Sequence, residues 1–420
     1  MKVLVIGAGG REHAICNTLK KSPRVSELYC APGNAGISQI ATCVPIPATA
    51  VSELVSYAKS ETFDLVFVAP ENPLSMGLVD RLEAEGIRAF GPRADAAVIE
   101  SSKVFSKNLM KRYGIPTAEY GIFEDREAAL RYLEAGSFPA VIKADGLAMG
   151  KGVVIAENFA QAKSAIDAMM EDAAFGDAGR TVVIEEFLTG PELTVLAFSD
   201  GKTVRPMISS RDHKRALDGD RGKNTGGMGA VSPGADLTAS DEKELQDRIF
   251  DPTIQALNRE NRPFVGVIYF GLMLTESGPK VIEYNSRFGD PEAQAILPRL
   301  ETDMMDIIDA CLSGRLAEID ICWRQVSSCC VVVASGGYPE SYETGFPIRG
   351  LDKCSNLVFH AGTKWKDEQV VTSGGRVLAV YGEGDTPQEA QKKAYDGVSE
   401  ISFQNMHFRR DIGKLKELRM

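Results

Sequence analysis

In the run Val281-Ile282-Glu283-Tyr284-Asn285-Ser286-Arg287, polar side chains able to hold a cation or an anion recur at every second position. Side chains on a β-strand alternate between faces, so Glu283, Asn285 and Arg287 would share one face. A carboxylate and an amide oxygen two residues apart are hard donors that suit Mg²⁺ on a triphosphate, and an arginine beyond them suits a carboxylate or a transferring phosphoryl group. The plain alternative is the exposed face of an ordinary strand. The polar turn that follows, Phe288-Gly289-Asp290-Pro291-Glu292, makes that alternative less attractive.

Lys143 ends a second apolar run, Pro139-Ala140-Val141-Ile142-Lys143, where an inward lysine needs an anionic partner. Lys103 opens a helical stretch just after Ser101-Ser102. The segment from Gly146 to Gly152, with Lys151 inside it, is one residue short of a P-loop and has glycine where Ser or Thr must reach magnesium. It reads instead as a glycine-rich flap able to cover phosphates. Val182–Leu188 runs into Thr189-Gly190-Pro191-Glu192, and a strand edge at such a hinge can recognise adenine through backbone groups while Glu192 accepts from ribose hydroxyls.

Gly7-Ala8-Gly9-Gly10-Arg11-Glu12 follows a strand and opens a helix, a place where backbone N–H groups attract an anion. A dinucleotide fingerprint fails there, because Glu12 stands in place of the third glycine and the second strand ends without an acid for a ribose. A phosphate beside Arg11 remains the natural ligand, with a tight turn as the structural alternative.

Short apolar runs alternate with helical patterns over the first hundred residues, which predicts a parallel α/β unit: strands at Val3–Ile6, Glu27–Ala31 and Leu65–Ala69, helices at Arg11–Lys21, Ser52–Lys59 and Gly77–Glu85. Open sheets of this kind bind ligands at the carboxyl ends of their strands. A helix from about Ser101 to Tyr113 begins a new module. Strands at Phe138–Lys143, Gly152–Ala156 and Thr181–Phe187, with a helix near Ala160–Glu171, form a small α+β subdomain. The stretch from Ser209 to Gly234 shows neither period and reads as a long functional loop. The expected division is an N-terminal unit at 1–102, a central unit at 103–324 with a mobile lid at about 115–190, and a strand-rich α+β unit at 325–420.

A net charge of −11 and a pI near 5.1 oppose general affinity for nucleic acid or an acidic membrane, so bound phosphates require locally gathered positive charge. Eight cysteines without a C-x-x-C spacing are expected to be reduced thiols. With no signal-peptide core and no run of about 20 apolar residues, a cytoplasmic location is expected, as a monomer or weak homo-oligomer.

Several longer motifs resemble a known family in their order and over essentially the whole chain: Gly9-Gly10-Arg11-Glu12-His13-Ala14, Pro32-Gly33-Asn34-Ala35-Gly36, Lys143-Ala144-Asp145-Gly146, Asp212-His213-Lys214-Arg215, Asn224-Thr225-Gly226-Gly227-Met228-Gly229 and Asn285 to Glu292. The chain resembles the glycinamide ribonucleotide synthetases of purine biosynthesis, members of the ATP-grasp superfamily. That resemblance implies an ATP-grasp fold behind an N-terminal parallel α/β domain, and ATP-dependent ligation of glycine to phosphoribosylamine with Mg²⁺ or Mn²⁺. It further implies that Lys103 and Lys143 hold ATP phosphates under the loop carrying Gly146 and Lys151. Glu185, Glu186 and Leu188 would line the adenine pocket, with Glu192 on the ribose. Glu283 and Asn285 would bind the metal. Gly10, Arg11, Glu12, Asn34 and Glu71 would receive phosphoribosylamine, while Asp212, Lys214 and Arg287 would hold glycine and its acyl phosphate. The competing readings are another ATP-grasp ligase and a nucleotide sensor that never turns over.

Overall fold

A computed structural model describes residues 1–146, 152–171 and 179–414. The N-terminal sheet is parallel, in the order β3-β2-β1-β4-β5, built from β1 (Lys2–Gly7), β2 (Glu27–Pro32), β3 (Thr42–Cys43), β4 (Leu65–Val68) and β5 (Ala89–Phe90). Helices α1 (Gly10–Leu19), α2 (Val51–Ser60), α3 (Glu71–Ser75), α4 (Leu78–Ala84) and α5 (Ala94–Ser101) cover it. Val3, Leu4, Val5 and Ile6 are all fully buried, as expected of a strand covered on both faces. The carboxyl ends of β1, β2 and β4 deliver Gly9–Glu12, Asn34 and Glu71 to one edge.

After α6 (Lys103–Tyr113), an antiparallel sheet of order β6-β9-β7-β8 comprises β6 (Tyr120–Phe123), β7 (Ala140–Ala144), β8 (Val153–Ala156) and β9 (Val182–Glu186), with α7 (Arg126–Ala135) and α8 (Phe159–Met170) on one face. Its own small core joins Leu130, Leu133, Ile142, Ile166 and Ile184. A second antiparallel sheet contains β10 (Glu192–Asp200) and β11 (Val204–Pro206), extended further along the chain by two long strands.

The stretch from Ser209 to Gly234 is not the unstructured loop that its sequence suggests. It folds as β12 (Arg211–Asp212), a hairpin of β13 (Arg215–Leu217) and β14 (Arg221–Asn224), and β15 (Gly229–Ser232). Strands of two to four residues are too short to display a period, and Gly219, Gly222, Gly227 and Gly229 take positive φ between them. Helices α9 (Ala239–Leu245) and α10 (Asp251–Arg259) follow. Then β16 (Val265–Thr275) and β17 (Gly278–Asn285) complete the order β11-β10-β16-β17.

Helices α11 (Glu292–Ile296) and α12 (Met304–Leu312) lead into the last unit: β18 (Ser327–Ser335), β19 (Val358–His360), the hairpin of β20 (Thr363–Lys366) and β21 (Gln369–Thr372), β22 (Arg376–Gly384), α13 (Pro387–Glu400) and β23 (Met406–His407). Its sheet, β12-β15-β18-β22-β19, takes two strands from the 209–234 segment, so the C-terminal unit and the central unit share one sheet. All eight cysteines are free thiols. Among the described residues no helix is long and apolar enough to cross a membrane.

Candidate functional site

Between β1 and α1 the chain turns at Gly7 (φ +129) and starts its helix at Gly10. Glu12 caps that helix: one carboxylate oxygen accepts from the Gly9 N–H at 2.6 Å and the other from Arg11 Nε at 2.6 Å. Arg11 also donates to the Phe288 carbonyl at 3.1 Å and pairs with Glu71 at 3.6 Å. A Cβ at Gly10 would run into the Gln294 amide, which fixes how closely this loop meets α11. Asn34 donates to the Ala8 and His360 carbonyls and accepts from the N–H groups of Gly36 and Ile37, all at 2.8–2.9 Å. The side chains of Glu12 and Asn34 are therefore spent on backbone and on Arg11. What they offer a ligand is the loop shape they hold.

Glu71, at the start of α3 where β4 ends, joins this edge to the central unit: it lies 3.3 Å from Arg287. Burial pushes its carboxyl up, but Arg287 and then Arg11 pull it down to about 2. Arg287 in turn pairs with Glu100 at 2.9 Å and donates to Asn285 Oδ1 at 3.0 Å. Asn285 and Arg287 thus face the same side of β17 and its extension, as the alternation of the sequence predicts. Glu283 is there too, accepting from Lys214 at 3.4 Å. Lys214 draws the Glu283 carboxyl down to about 2 against its burial, so Glu283 is ionised throughout the neutral range. An ionised carboxylate and an amide oxygen at i and i+2 fit a hard divalent cation.

Lys214 bridges Glu283 and Glu192, 3.4 Å from each, and Glu192 first and Glu283 second raise its pKa well above the ordinary lysine value. Asp212, two residues earlier, is half-buried, with its Oδ1 enclosed and unpartnered. Burial, then the nearby Glu292, push its carboxyl well above the usual range. Gly227 packs on it so closely that an added Cβ would lie 2.7 Å from Oδ1. A buried acceptor without a donor costs about 1–3 kcal/mol, which an incoming ammonium group would relieve.

On the nucleotide side, Lys143 leaves β7 to pair with Glu185 at 2.8 Å and to donate to the Ile282 carbonyl at 3.1 Å, next to Glu283. Lys103, the first residue of α6, donates to the Gly146 carbonyl at 2.8 Å. Glu185 is 4% exposed and pairs with lysines on both oxygens. Glu186 is exposed and pairs with Lys280 at 2.9 Å, and Leu188 is half-buried beyond the strand end. Lys151 lies outside the described residues.

Sequence reasoning missed three contributors. Glu100, on α5, accepts from both the backbone and the hydroxyl of Ser286 at 2.7 and 2.8 Å while holding Arg287; nothing in a helix of mixed polarity singles it out. Asp145 accepts from the Ser102 hydroxyl at 3.2 Å and the Val104 N–H at 3.1 Å, tying the start of α6 to the end of β7. Lys107, one helical turn after Lys103, reaches Glu185 at 2.9 Å. The i, i+4 spacing of two lysines was the available signal.

Three family models match the chain: phosphoribosylglycinamide synthetase N domain over residues 1–100, its ATP-grasp (A) domain over 101–293, and its C domain over 328–415. A phosphoribosylamine–glycine ligase of Halalkalibacterium halodurans is 48% identical, with 98% of this chain aligned to 96% of that one. One from Caldanaerobacter subterraneus subsp. tengcongensis is 46% identical, with 98% aligned to 99%. The crystal structure of the phosphoribosylamine–glycine ligase from Thermotoga maritima superposes with a TM-score of 0.87 at 34% identity, covering 98% of this chain and all of that one. The chain belongs to the phosphoribosylglycinamide synthetase family, whose central domain is an ATP-grasp domain.

Proposed function

We propose that this enzyme joins glycine to 5-phosphoribosylamine, converting ATP to ADP and phosphate and releasing glycinamide ribonucleotide. The observation that carries the reading is the continuous run of charge from Arg11 through Glu71 to Arg287 and on to Asn285, with Glu283, Lys214 and Asp212 beside it. In this reading it links an anion-binding helix start, a pair of hard oxygen donors and a half-buried carboxylate with one unpartnered oxygen.

In this reading Lys103 and Lys143 bind the phosphates of ATP, the strand end at Glu185, Glu186 and Leu188 receives adenine, and Glu192 receives the ribose. Glu283 and Asn285 would hold a divalent ion, Mg²⁺ or Mn²⁺, which when bound neutralises triphosphate oxygens.

Asp212 accepts from the ammonium of glycine, and Arg287 and Lys214 hold its carboxylate. A glycine carboxylate oxygen attacks the γ-phosphorus, the bond to the β–γ bridging oxygen breaks, and ADP leaves. The amine of phosphoribosylamine, held at Arg11 by its phosphate, then attacks the acyl carbon, phosphate departs, and the amine gives up one proton. Such transfers depend on alignment and charge neutralisation more than on a protein nucleophile. The domains serve this as a substrate-binding unit at 1–102, a nucleotide-binding unit at 103–324 whose lid at about 115–190 excludes water, and a unit at 325–420 that closes the cleft.

The test is an ADP assay in which glycine, phosphoribosylamine and Mg-ATP are omitted in turn. ADP forms only with all three, and equal turnover without glycine would defeat the assignment.

A further inference from the structure

Glu185 is the only acid in contact with two buried lysines that come from different elements, among the described residues. Lys143 meets one carboxylate oxygen at 2.8 Å from β7, and Lys107 meets the other at 2.9 Å from α6. Lys107, Glu185 and Lys143 are 2%, 4% and 5% exposed, so solvent screens none of them. Lys107 is held on two further sides: it donates to the Thr117 hydroxyl at 2.8 Å, and its ammonium lies 5.5 Å from the Tyr120 ring centre. Thr117 passes its own proton to the Val281 carbonyl at 2.7 Å, on the strand that carries Glu283.

Two positive charges and one negative are thus buried together. One lysine with one carboxylate would be the cheaper arrangement, because a buried charge without a matching partner is costly. Burial lowers the Lys107 pKa to about 8 in spite of Glu185, which leaves it charged at neutral pH. Glu283 acts on Lys143 and Glu186 on Lys107 only from a distance, and among the described residues no carboxylate other than Glu185 makes an ion pair with either lysine, so room is left for a bound anion. Lys143, which also reaches the Ile282 carbonyl beside Glu283, is the member placed to meet one.

We propose that Lys107 is a positioning residue for the nucleotide: by sharing the Glu185 carboxylate it keeps that acid from neutralising Lys143 alone and leaves Lys143 with positive charge to give to the triphosphate. The inference rests on the assignment of Lys143 to the ATP phosphates. Lys107 itself touches no substrate in this account.

A charge effect and a packing effect separate by ligand. Adenosine, Mg-ADP and Mg²⁺ with β,γ-methylene-ATP are titrated calorimetrically into the wild-type protein and into Lys107→Met, Lys107→Gln and Lys107→Arg. In Lys107→Met and Lys107→Gln, affinity for adenosine stays within about twofold, while affinity for the triphosphate falls about 10-fold or more, the scale of one unit charge a few ångströms away in a protein interior. The diphosphate lies between, and Lys107→Arg recovers most of the loss. Equal losses for adenosine and the triphosphate, or no loss for either, overturn the proposal. Lys107→Gln keeps a hydrogen-bond donor for Thr117 and decides the matter if the methionine variant does not fold. Failure of the wild-type protein to bind the triphosphate analogue would instead strike at the nucleotide site itself.

Discussion

Glu71 and Arg287 come from different units of the chain and meet at 3.3 Å, and the same carboxylate oxygen lies 3.6 Å from Arg11. One acid at the end of a strand in the N-terminal sheet therefore orients the arginine assigned to the ribose phosphate and the arginine assigned to the acyl phosphate. Both guanidiniums therefore share one carboxylate oxygen as a common anchor.

Replacing that acid tests the coupling. Glu71→Gln keeps the size of the side chain and removes its charge, and hydrogen bonds to charged groups are worth about 1.5–3 kcal/mol, so kcat/KM for phosphoribosylamine should fall about 10-fold or more. Steady-state kinetics with each substrate varied in turn measures it. Unchanged kcat/KM for both glycine and phosphoribosylamine would show that the shared carboxylate does not matter.

Lys143→Ala should leave a folded protein with a cooperative melting transition but lower turnover by about 100-fold or more, the scale for removing one charge-stabilising donor from a transition state. Nucleotide affinity should fall with it. Full activity in this variant would remove Lys143 from the site.

A chelator should abolish ADP formation, and added Mg²⁺ should restore it. Glu283→Gln should raise the Mg²⁺ concentration for half-maximal activity by about 10-fold or more, since even residues one step removed from a metal commonly cost that much. A Mg²⁺ titration that is identical in wild type and variant would place the ion elsewhere.

The pH dependence of stability has a clear sign at the contact between α1 and β19. His13 accepts from the His360 N–H at 2.8 Å through Nδ1, and burial holds their pKa values down to about 3 and about 4. Both are neutral in the folded protein, whereas unfolded histidines titrate near 6.5. Their contribution is thus fully present above about pH 6.5 and is lost as pH falls toward about 4, because the unfolded chain then binds the extra protons. Melting temperature should drop between pH 7 and pH 5, and His360→Gln should show a shallower drop. Equal slopes in both proteins would refute this source.

Much of this was legible in the residues themselves. The alternation Glu283, Asn285, Arg287 gave a shared face without any structure, and Lys143 at the end of an apolar strand announced the buried partner it has in Glu185. A glycine or proline after each strand end, at Gly7, Pro32 and Pro70, marked the edge where Gly10, Asn34 and Glu71 gather. The strands between Arg211 and Ser232 were invisible because each is only two to four residues long, which gives an alternation no room to repeat convincingly. Glu100 was missed for a different reason: it pairs with Arg287 across 187 residues, which leaves no local pattern, while Lys107 pairs across 78 residues and only its spacing from Lys103 hinted at it. The place the resemblance gives Asn34 was not legible from its residue type, and its amide serves backbone groups on every side.

In the proposed reaction glycine is activated by transfer of a phosphoryl group to its carboxylate. Glycine with both carboxylate oxygens replaced by ¹⁸O tests it in a single turnover experiment followed by mass analysis of the phosphate released. One ¹⁸O per phosphate, with the other retained in the amide product, is the predicted result. Unlabelled phosphate, alongside normal product formation, would contradict an acyl phosphate and with it the roles given to Arg287 and Lys214.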